Sequence, residues 1–457
     1  MSGRASAPVV VLGAGFAGLV AAVELRRLGR EVLVLEASDH VGGLATSRTV
    51  DGVSFDTGAH FVTNRLATAI GVMDRCDPAA EYGESVWRAG RSASYPVGLM
   101  TSPRYAASAI GRRLRPGPPP TTAADRFRQE YGDALADEVA LPLLEAWSGL
   151  PADQLAPSVL DKIPTSIVET LALTAVRRVS HRPIAIGYCG EAPQSVNVWH
   201  VYPRDGLNVF SDHLAAELGD RVLLSTPVAS ILYQGNRITG VATADGEYPA
   251  AAVVTTLPAP LLPRLLDHPA IAPLAALEYR AMVFVQLRLR GRHLLPAAVT
   301  WTPERSLPFF RVTEAPVTMP WLAPDGETVL TVDIGARVGD AIWNADDASL
   351  TTQCLDGLIG IVPDIRARHL ATYTARTPLA YPVFALATEA ARRRVGDHGI
   401  DGLVSVGRNA EFGHLLMEDV YWRTLRAARA LDHHLDGRAG TSADRDGVDR
   451  PGQALAG

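Results

Sequence analysis

Lysine is almost absent from this chain: of 43 basic side chains Lys162 is the single lysine, and all the others are arginine. Any chemistry that needs a lysine beyond residue 162 is therefore excluded. Cysteine is nearly as scarce. Cys76, Cys189 and Cys354 are odd in number and too far apart in sequence for a local zinc pattern. Neither a disulfide framework nor a metal centre is expected, and a reducing cytoplasm is the expected compartment. Positive charge is not in surplus either, since the net charge of -6 offers no field to attract nucleic acid. No run of about 18 or more apolar residues exists to span a membrane. The apolar stretch Pro8 to Val23, behind Arg4, has the look of a signal core, but glycines interrupt it and a strand pattern follows, so it reads as a turn into a helix. What remains is an ordinary globular composition, 47% hydrophobic and 20% charged. A length of 457 residues exceeds one core and predicts two lobes.

The stretch Pro8 to Gly43 organises the rest. Val9, Val10 and Val11 suit a strand buried on both faces, and the run breaks at Gly13, Gly15 and Gly18 in G-x-G-x-x-G spacing. The first glycine permits the tight turn, the second lets a pyrophosphate approach the backbone, and the third lets the new helix pack on the sheet with its amino end facing the anion. Ala21, Ala22, Leu25 and Leu28 face the sheet, Gly29 ends the helix, and a second strand runs from Glu31 to Glu36. At that strand's carboxyl end the Glu36 carboxylate is placed to accept bonds from both ribose hydroxyls of an adenosine, and would repel a 2′-phosphate.

This unit alone does not separate NAD from FAD. The wider stretch ELRRLGREVLVLEASDHVGGLATS resembles the extended FAD fingerprint of the amine oxidase, protoporphyrinogen oxidase and phytoene desaturase superfamily, in which a glycine pair, here Gly42 and Gly43, follows the acid and a serine, here Ser47, comes four residues on. Bare backbone at that pair leaves room for the dinucleotide.

Further along, Asp51 and Gly52 supply a hairpin turn before Val53 and Phe55. FDTGAHFVTN is similar to a segment of the sugar-linked and porphyrin-linked branches, including the galactopyranose mutases; the resemblance implies that Asp56, Gly58, Ala59 and His60 lie beside the isoalloxazine. Residues 66–182 read as mostly helical, broken by the proline-rich loop Arg115 to Pro120, with Tyr131 and Trp147 as core, and with RSASYPV as an edge strand whose Arg91 and Tyr95 face the substrate side in relatives. WHVYPRDGLNVF resembles the family's return to the cofactor lobe. The hairpins that follow carry turn signals at Gly235-Asn236 and Asp245-Gly246, and by resemblance Val228 offers its backbone to the adenine. Residues 270–390 predict a second lobe of antiparallel strands, with Gln286, Arg288 and Arg290 on a wet face. ARTPLAYPVF is similar to a segment that reaches the flavin in mutases, which makes Arg376 and Tyr381 candidate substrate contacts. Near the end, GLVSVGRNAEFGHLLMEDV resembles the family's last flavin signature, aligning with its positions at Gly407, Arg408, Phe412, His414, Met417 and Glu418 and departing from its residues at Ala410, His414, Leu416 and Glu418. A helix starting near Glu418 aims its amino end at the flavin or its pyrophosphate.

The expected fold class is α/β, a Rossmann-type FAD-binding domain from residues 1–65, 195–265 and 395–436, interleaved with a substrate domain of antiparallel sheet and helices from 66–194 and 266–394, and a disordered tail over 437–457. The resemblance implies non-covalent FAD held by Gly13, Gly15, Phe16, Ala17, Gly18, Glu36, Ala37, Gly42, Gly43, Leu44, Gly58, Ala59, His60, Val228, Gly407, Arg408, Met417, Glu418 and Asp419. Arg408, His60, Arg376 and Tyr381 are the candidate catalytic residues. The expected activity is hydride abstraction from a small organic substrate of natural-product metabolism. A non-redox sugar mutase is the alternative. Many amine oxidases of this superfamily hold a water on the flavin with a lysine of the second lobe, which this chain cannot supply.

Overall fold

The computed structural model describes residues 7–57, 61–80, 82–95, 97–115, 117–160, 167–180 and 182–437. Gly58, Ala59 and His60 and the tail from residue 438 lie outside the described residues.

The opening valines do form a strand, Val9–Leu12, at the centre of a five-stranded parallel sheet ordered Val222–Leu223, Val32–Leu35, Val9–Leu12, Ala252–Thr255, Leu403–Ser405. Val11 pairs with Val34 on one side and Val254 on the other. Its residues are buried on both faces because each face has its own core. Val9 and Val11 pack with Leu19, Val23, Phe210, Leu214, Leu425 and Ala428, which come from the helices Phe16–Arg27, Asn208–Leu218 and Met417–Leu435. Val10 and Leu12 pack on the opposite face with Val253, Ile238, Leu262 and Phe412.

The second sheet has seven strands, ordered His369–Pro382, Tyr279–Arg290, Glu327–Ala336, Arg311–Glu314, Val299–Trp301, Glu84–Arg88, Arg91–Ser94. All its pairs are antiparallel except that of Val299–Trp301 with Glu84–Arg88. One face is covered by the helix Asp347–Leu358, whose Leu350, Cys354 and Leu358 meet Val283, Val285 and Val332. The other presents Met282, Phe284, Phe310 and Ala380 to Leu143 and Trp147 of the helical insertion.

This corrects the expectation of a wet face. Gln286 is fully buried and donates to the Asp56 carbonyl at 3.4 Å, and solvent is reached only toward the strand end at Arg290. A glutamine alternating with valines looks like a solvated position in a sequence. Here it faces the strand Val53–Asp56, where the Asp56 carbonyl takes its amide N–H while its Oε1 stays buried without a partner among the described residues. The edge strand expected in RSASYPV is Arg91–Ser94, the outermost strand of the second sheet, and Glu84–Arg88 pairs beside it. Among the described residues no helix is long and apolar enough to cross a membrane.

Candidate active site

The glycine turn is shaped by what a side chain would strike. A Cβ on Gly13, whose φ is 99°, would stand 2.3 Å from Thr256 Oγ1, and one on Gly18 would stand 2.0 Å from the Gly13 carbonyl oxygen. Gly15 caps the helix Phe16–Arg27 without any side-chain acceptor for its first amides. The first turn therefore offers its N–H groups to an outside anion. Gly42 donates to the Ala14 carbonyl at 2.9 Å, which lays the second glycine pair along the first. Between Gly15 and Gly43 only backbone faces backbone.

Glu36 is fixed before any ligand arrives. Its carboxylate accepts the Ala14 amide at 2.7 Å and the Ser38 amide at 2.9 Å. The Ser38 hydroxyl proton has two acceptors to choose from, Glu36 and the His40 carbonyl, each at 2.7 Å. A carboxylate offers about four acceptor positions, so two remain for ribose hydroxyls when the Ser38 proton goes to the His40 carbonyl. Thr226 donates to the Glu36 carbonyl at 2.7 Å, which seats Val228 two residues further on beside the same loop.

At the other end of the chain Gly407 (φ 91°) approaches Ala17 so closely that a Cβ would lie 2.6 Å from the Ala17 Cβ. Its amide donates to Glu411 at 2.9 Å, and Glu411 is paired with Arg423 at 2.6 Å. Met417 is the first residue of the closing helix. The two acids after it tie the helix down. Buried Glu418 accepts from Thr63 at 2.7 Å and from Arg65 and Trp422; Asp419 accepts from the Leu416 amide at 3.1 Å and the Gly190 amide at 2.7 Å. Their carboxylates serve the fold, leaving the first-turn amides to face outward.

Above this segment a single transverse row crosses one face of the second sheet: Ala375, Phe284, Asp333, Arg311, Trp301 and Val86 are register partners in turn. Arg311 donates through Nε to Asp333 at 2.9 Å, its guanidinium carbon is 5.2 Å from the Trp301 ring centre, and it reaches the Tyr381 hydroxyl at 3.5 Å. Burial alone would depress the Arg311 guanidinium, but the buried Asp333 carboxylate outweighs it and holds the group above its ordinary value. Arg408 in turn lies 4.7 Å over the Tyr381 ring and donates to the Ala380 carbonyl at 3.0 Å, while its Nε is buried without a partner. Trp147 packs 5.4 Å from Tyr381 and 4.5 Å from His414.

Two family descriptions match the chain: an NAD(P)-binding Rossmann-like domain over residues 11–70, and flavin containing amine oxidoreductase over residues 115–431. The chain belongs to the flavin-containing amine oxidoreductase family. A Mycobacterium tuberculosis protein classed as a flavin-containing monoamine oxidase is 27% identical over 455 residues, 94% of this chain and 93% of that one. Among solved structures, reduced UDP-galactopyranose mutase superposes with a TM-score of 0.76 at 17% identity, covering 95% of this chain and 97% of its own. Cyclohexylamine oxidase from Brevibacterium oxydans gives 0.70 at 17%, covering 94% and 100%. At such identities the two likenesses show the fold.

The oxidoreductase is thus built for FAD, and its residues fit that group: uncapped first-turn amides at Phe16, Ala17 and Gly18, a pre-set Glu36, and glycine backbone wherever the dinucleotide must lie. Leu44, 40% exposed, and Ala37 stand at the edges of the same cradle.

Of the candidate catalytic residues the fold brings Arg408 and Tyr381 together and sends Arg376 elsewhere. Arg376 pairs with Val283 on the opposite face, where it donates to the carbonyls of Trp343 at 3.0 Å and Ala345 at 2.7 Å. It caps a helical turn there. Arg91 is exposed at the outer hairpin. Arg408 does not pair with Glu411 or Glu418, which Arg423 and Arg65 occupy. Sequence reading missed Arg311, Asp333, Trp301 and Glu84. The signal for the pair was a charged residue set into an apolar strand, as in FFRVTE and LTVDIG, which alternation alone does not distinguish from a solvated position.

Proposed function

We propose that the oxidoreductase removes a hydride from the carbon next to nitrogen in a small organic amine, and does not rearrange a sugar nucleotide. Bound FAD supplies the two-electron acceptor: the C–H bond breaks with its electron pair, the nitrogen loses its proton to solvent as the C=N bond forms, and oxygen or another acceptor takes the electrons onward. The chain's own share is to position and to exclude water. Tyr381, Trp147 and Phe284 provide apolar walls, and Arg408 is held by stacking and by the Ala380 carbonyl.

The observation that carries this reading is the state of the two arginines over the site. A nucleoside diphosphate calls for several uncommitted guanidinium groups. Arg311 is neutralised by Asp333 at 2.9 Å, and Arg408 offers only what its contacts with Ala380 and Tyr381 leave. Natural-product amines are the panel to start from. Three free cysteines, with Cys76 and Cys354 buried, support action in the cytoplasm.

The test is anaerobic mixing of the oxidised enzyme with that panel while the visible flavin band is followed. Bleaching by an amine, slowed in Arg408→Ala, is the expected result. If no amine bleaches it and dithionite-reduced enzyme interconverts a sugar nucleotide, the mutase reading replaces this one.

A further inference from the structure

A cavity of about 230 Å³ lies at the outer edge of the seven-stranded sheet, and the oxidation just described makes no use of it. It is bounded by the start of the strand Glu84–Arg88, the helix Ile167–Ser180 and the loop before Val299. Sites for drug-sized ligands run to roughly 300–1,000 Å³, so the occupant here is smaller. Its polar lining comes from Glu84, Ser94, Tyr95, Thr174, Arg177 and His293.

Two of these carry opposite charges, and neither has a counter-ion among the described residues. Glu84 is satisfied by neutral donors only, the Tyr82 hydroxyl on one oxygen and Trp301 Nε1 at 2.8 Å on the other. Arg177 is partly buried and, among the described residues, makes no hydrogen bond or ion pair with Glu84 or any other side chain. A carboxylate and a guanidinium drawn partly out of water and held apart are a costly arrangement unless something between them supplies both counter-charges. His293 stands at a φ of 56°, a left-handed position that histidine adopts more readily than most residues.

One wall of the cavity touches the row of side chains that ends at Tyr381. Arg177 acts electrostatically on the Tyr188 phenol and the His200 ring, which belong to an aromatic cluster with Phe61 and Tyr82. Glu84 leads through Trp301 and Arg311 to Tyr381, the ring beneath Arg408.

We propose that this cavity is a recognition site for small zwitterions, the ammonium group meeting Glu84 and a carboxylate meeting Arg177, separate from the place where the amine is oxidised.

Calorimetric titration of the yellow holoenzyme with the twenty protein amino acids tests it, followed for the tightest binder by its decarboxylated amine and its deaminated acid. The amino acid is expected to bind about tenfold or more tightly than either truncated analogue. Arg177→Gln should lose about tenfold toward the amino acid and nothing toward the decarboxylated amine, and Arg177→Lys should recover part of the loss. Flavin absorbance and melting temperature of each variant separate misfolding from lost recognition. No binding by any amino acid, equal affinity for the amino acid and its decarboxylated amine, or an Arg177→Gln variant that binds like wild type overturns the proposal. Anaerobic bleaching by a carboxylate-free amine, with no amino acid bound, removes this inference while leaving amine oxidation standing.

Discussion

The Arg408 guanidinium rests 4.7 Å above the Tyr381 ring and bonds the carbonyl of the residue before it, so one side chain that follows the last strand of the five-stranded sheet is clamped by the strand His369–Pro382 of the seven-stranded sheet. A cation over an aromatic face is worth about 0.5–2 kcal/mol, rising as water is excluded. The Tyr381 hydroxyl adds only a 3.5 Å contact to Arg311, at the limit of hydrogen bonding.

Tyr381→Phe is therefore expected to keep both stability and the bleaching rate close to wild type, and Tyr381→Leu to lose about 1–2 kcal/mol and to release Arg408. Urea unfolding and stopped-flow reduction of the two variants measure this. Equal behaviour of Phe and Leu at this position would show that the ring face does not hold the arginine.

Replacing Glu36 by Ala removes the acceptor for ribose and also the acceptor for the Ala14 and Ser38 amides. Each charge-assisted bond lost is worth about 1.5–3 kcal/mol, so FAD should be held about ten- to a hundredfold less tightly per bond. Flavin fluorescence released on dialysis reports it, and full occupancy in the variant would contradict the assignment of Glu36.

Although no cysteine is near residues 407–419 in sequence, the fold sets Cys189 next to Asp419 and Glu418. Burial first, then those two carboxylates, push its thiol up to about 12. At neutral pH it is a thiol with little nucleophilic thiolate. Acid precipitation should accordingly release all the flavin into the supernatant, and iodoacetamide at pH 8 should leave Cys189 unmodified in the folded enzyme. A yellow washed pellet would refute the first statement, and a labelled Cys189 peptide the second.

His200 is fully enclosed by Phe61, Tyr82 and Tyr188, and burial lowers its pKa to about 3. A base whose folded pKa lies below its unfolded value near 6.5 binds more protons when unfolded throughout the window between them. Stability from this group is complete above about pH 6.5 and falls as pH drops toward 3, by an amount on the order of a few kcal/mol. His200→Phe should flatten the acid limb of the stability curve over that window. Parallel wild-type and variant curves would rule His200 out as its source.

Benzylamine and similar simple primary amines are expected not to be oxidised, because no lysine follows residue 162 to serve the water that many family members keep on the flavin. Peroxide released from a panel of such amines would show the contrary.

The cofactor half of the site could be read from the chain because its chemistry is local. Gly13, Gly15, Gly18, Glu36, Gly42 and Gly43 act through spacing, and spacing is what a sequence displays. The substrate half is made differently. Asp333, Arg311 and Trp301 are neighbours only by strand register. No periodicity states which neighbour a strand will take. Gln286 shows the same limit from the other side: alternation marks a face, while what packs on that face, here the strand Val53–Asp56, decides whether water reaches it.

The sheet that carries the flavin is assembled from both ends of the chain. Val9–Leu12 pairs with Ala252–Thr255, which pairs with Leu403–Ser405, and Arg30 is bonded to Asp432 across 402 residues. At about 5–20 residues per second a ribosome needs tens of seconds between making the first strand and the last. During that time the glycine turn is present and its partners are not. The nascent chain must wait with a nucleotide motif that cannot yet grip, so loading of FAD is an event of the finished polypeptide, and a ribosome stalled before the closing helix leaves a colourless product.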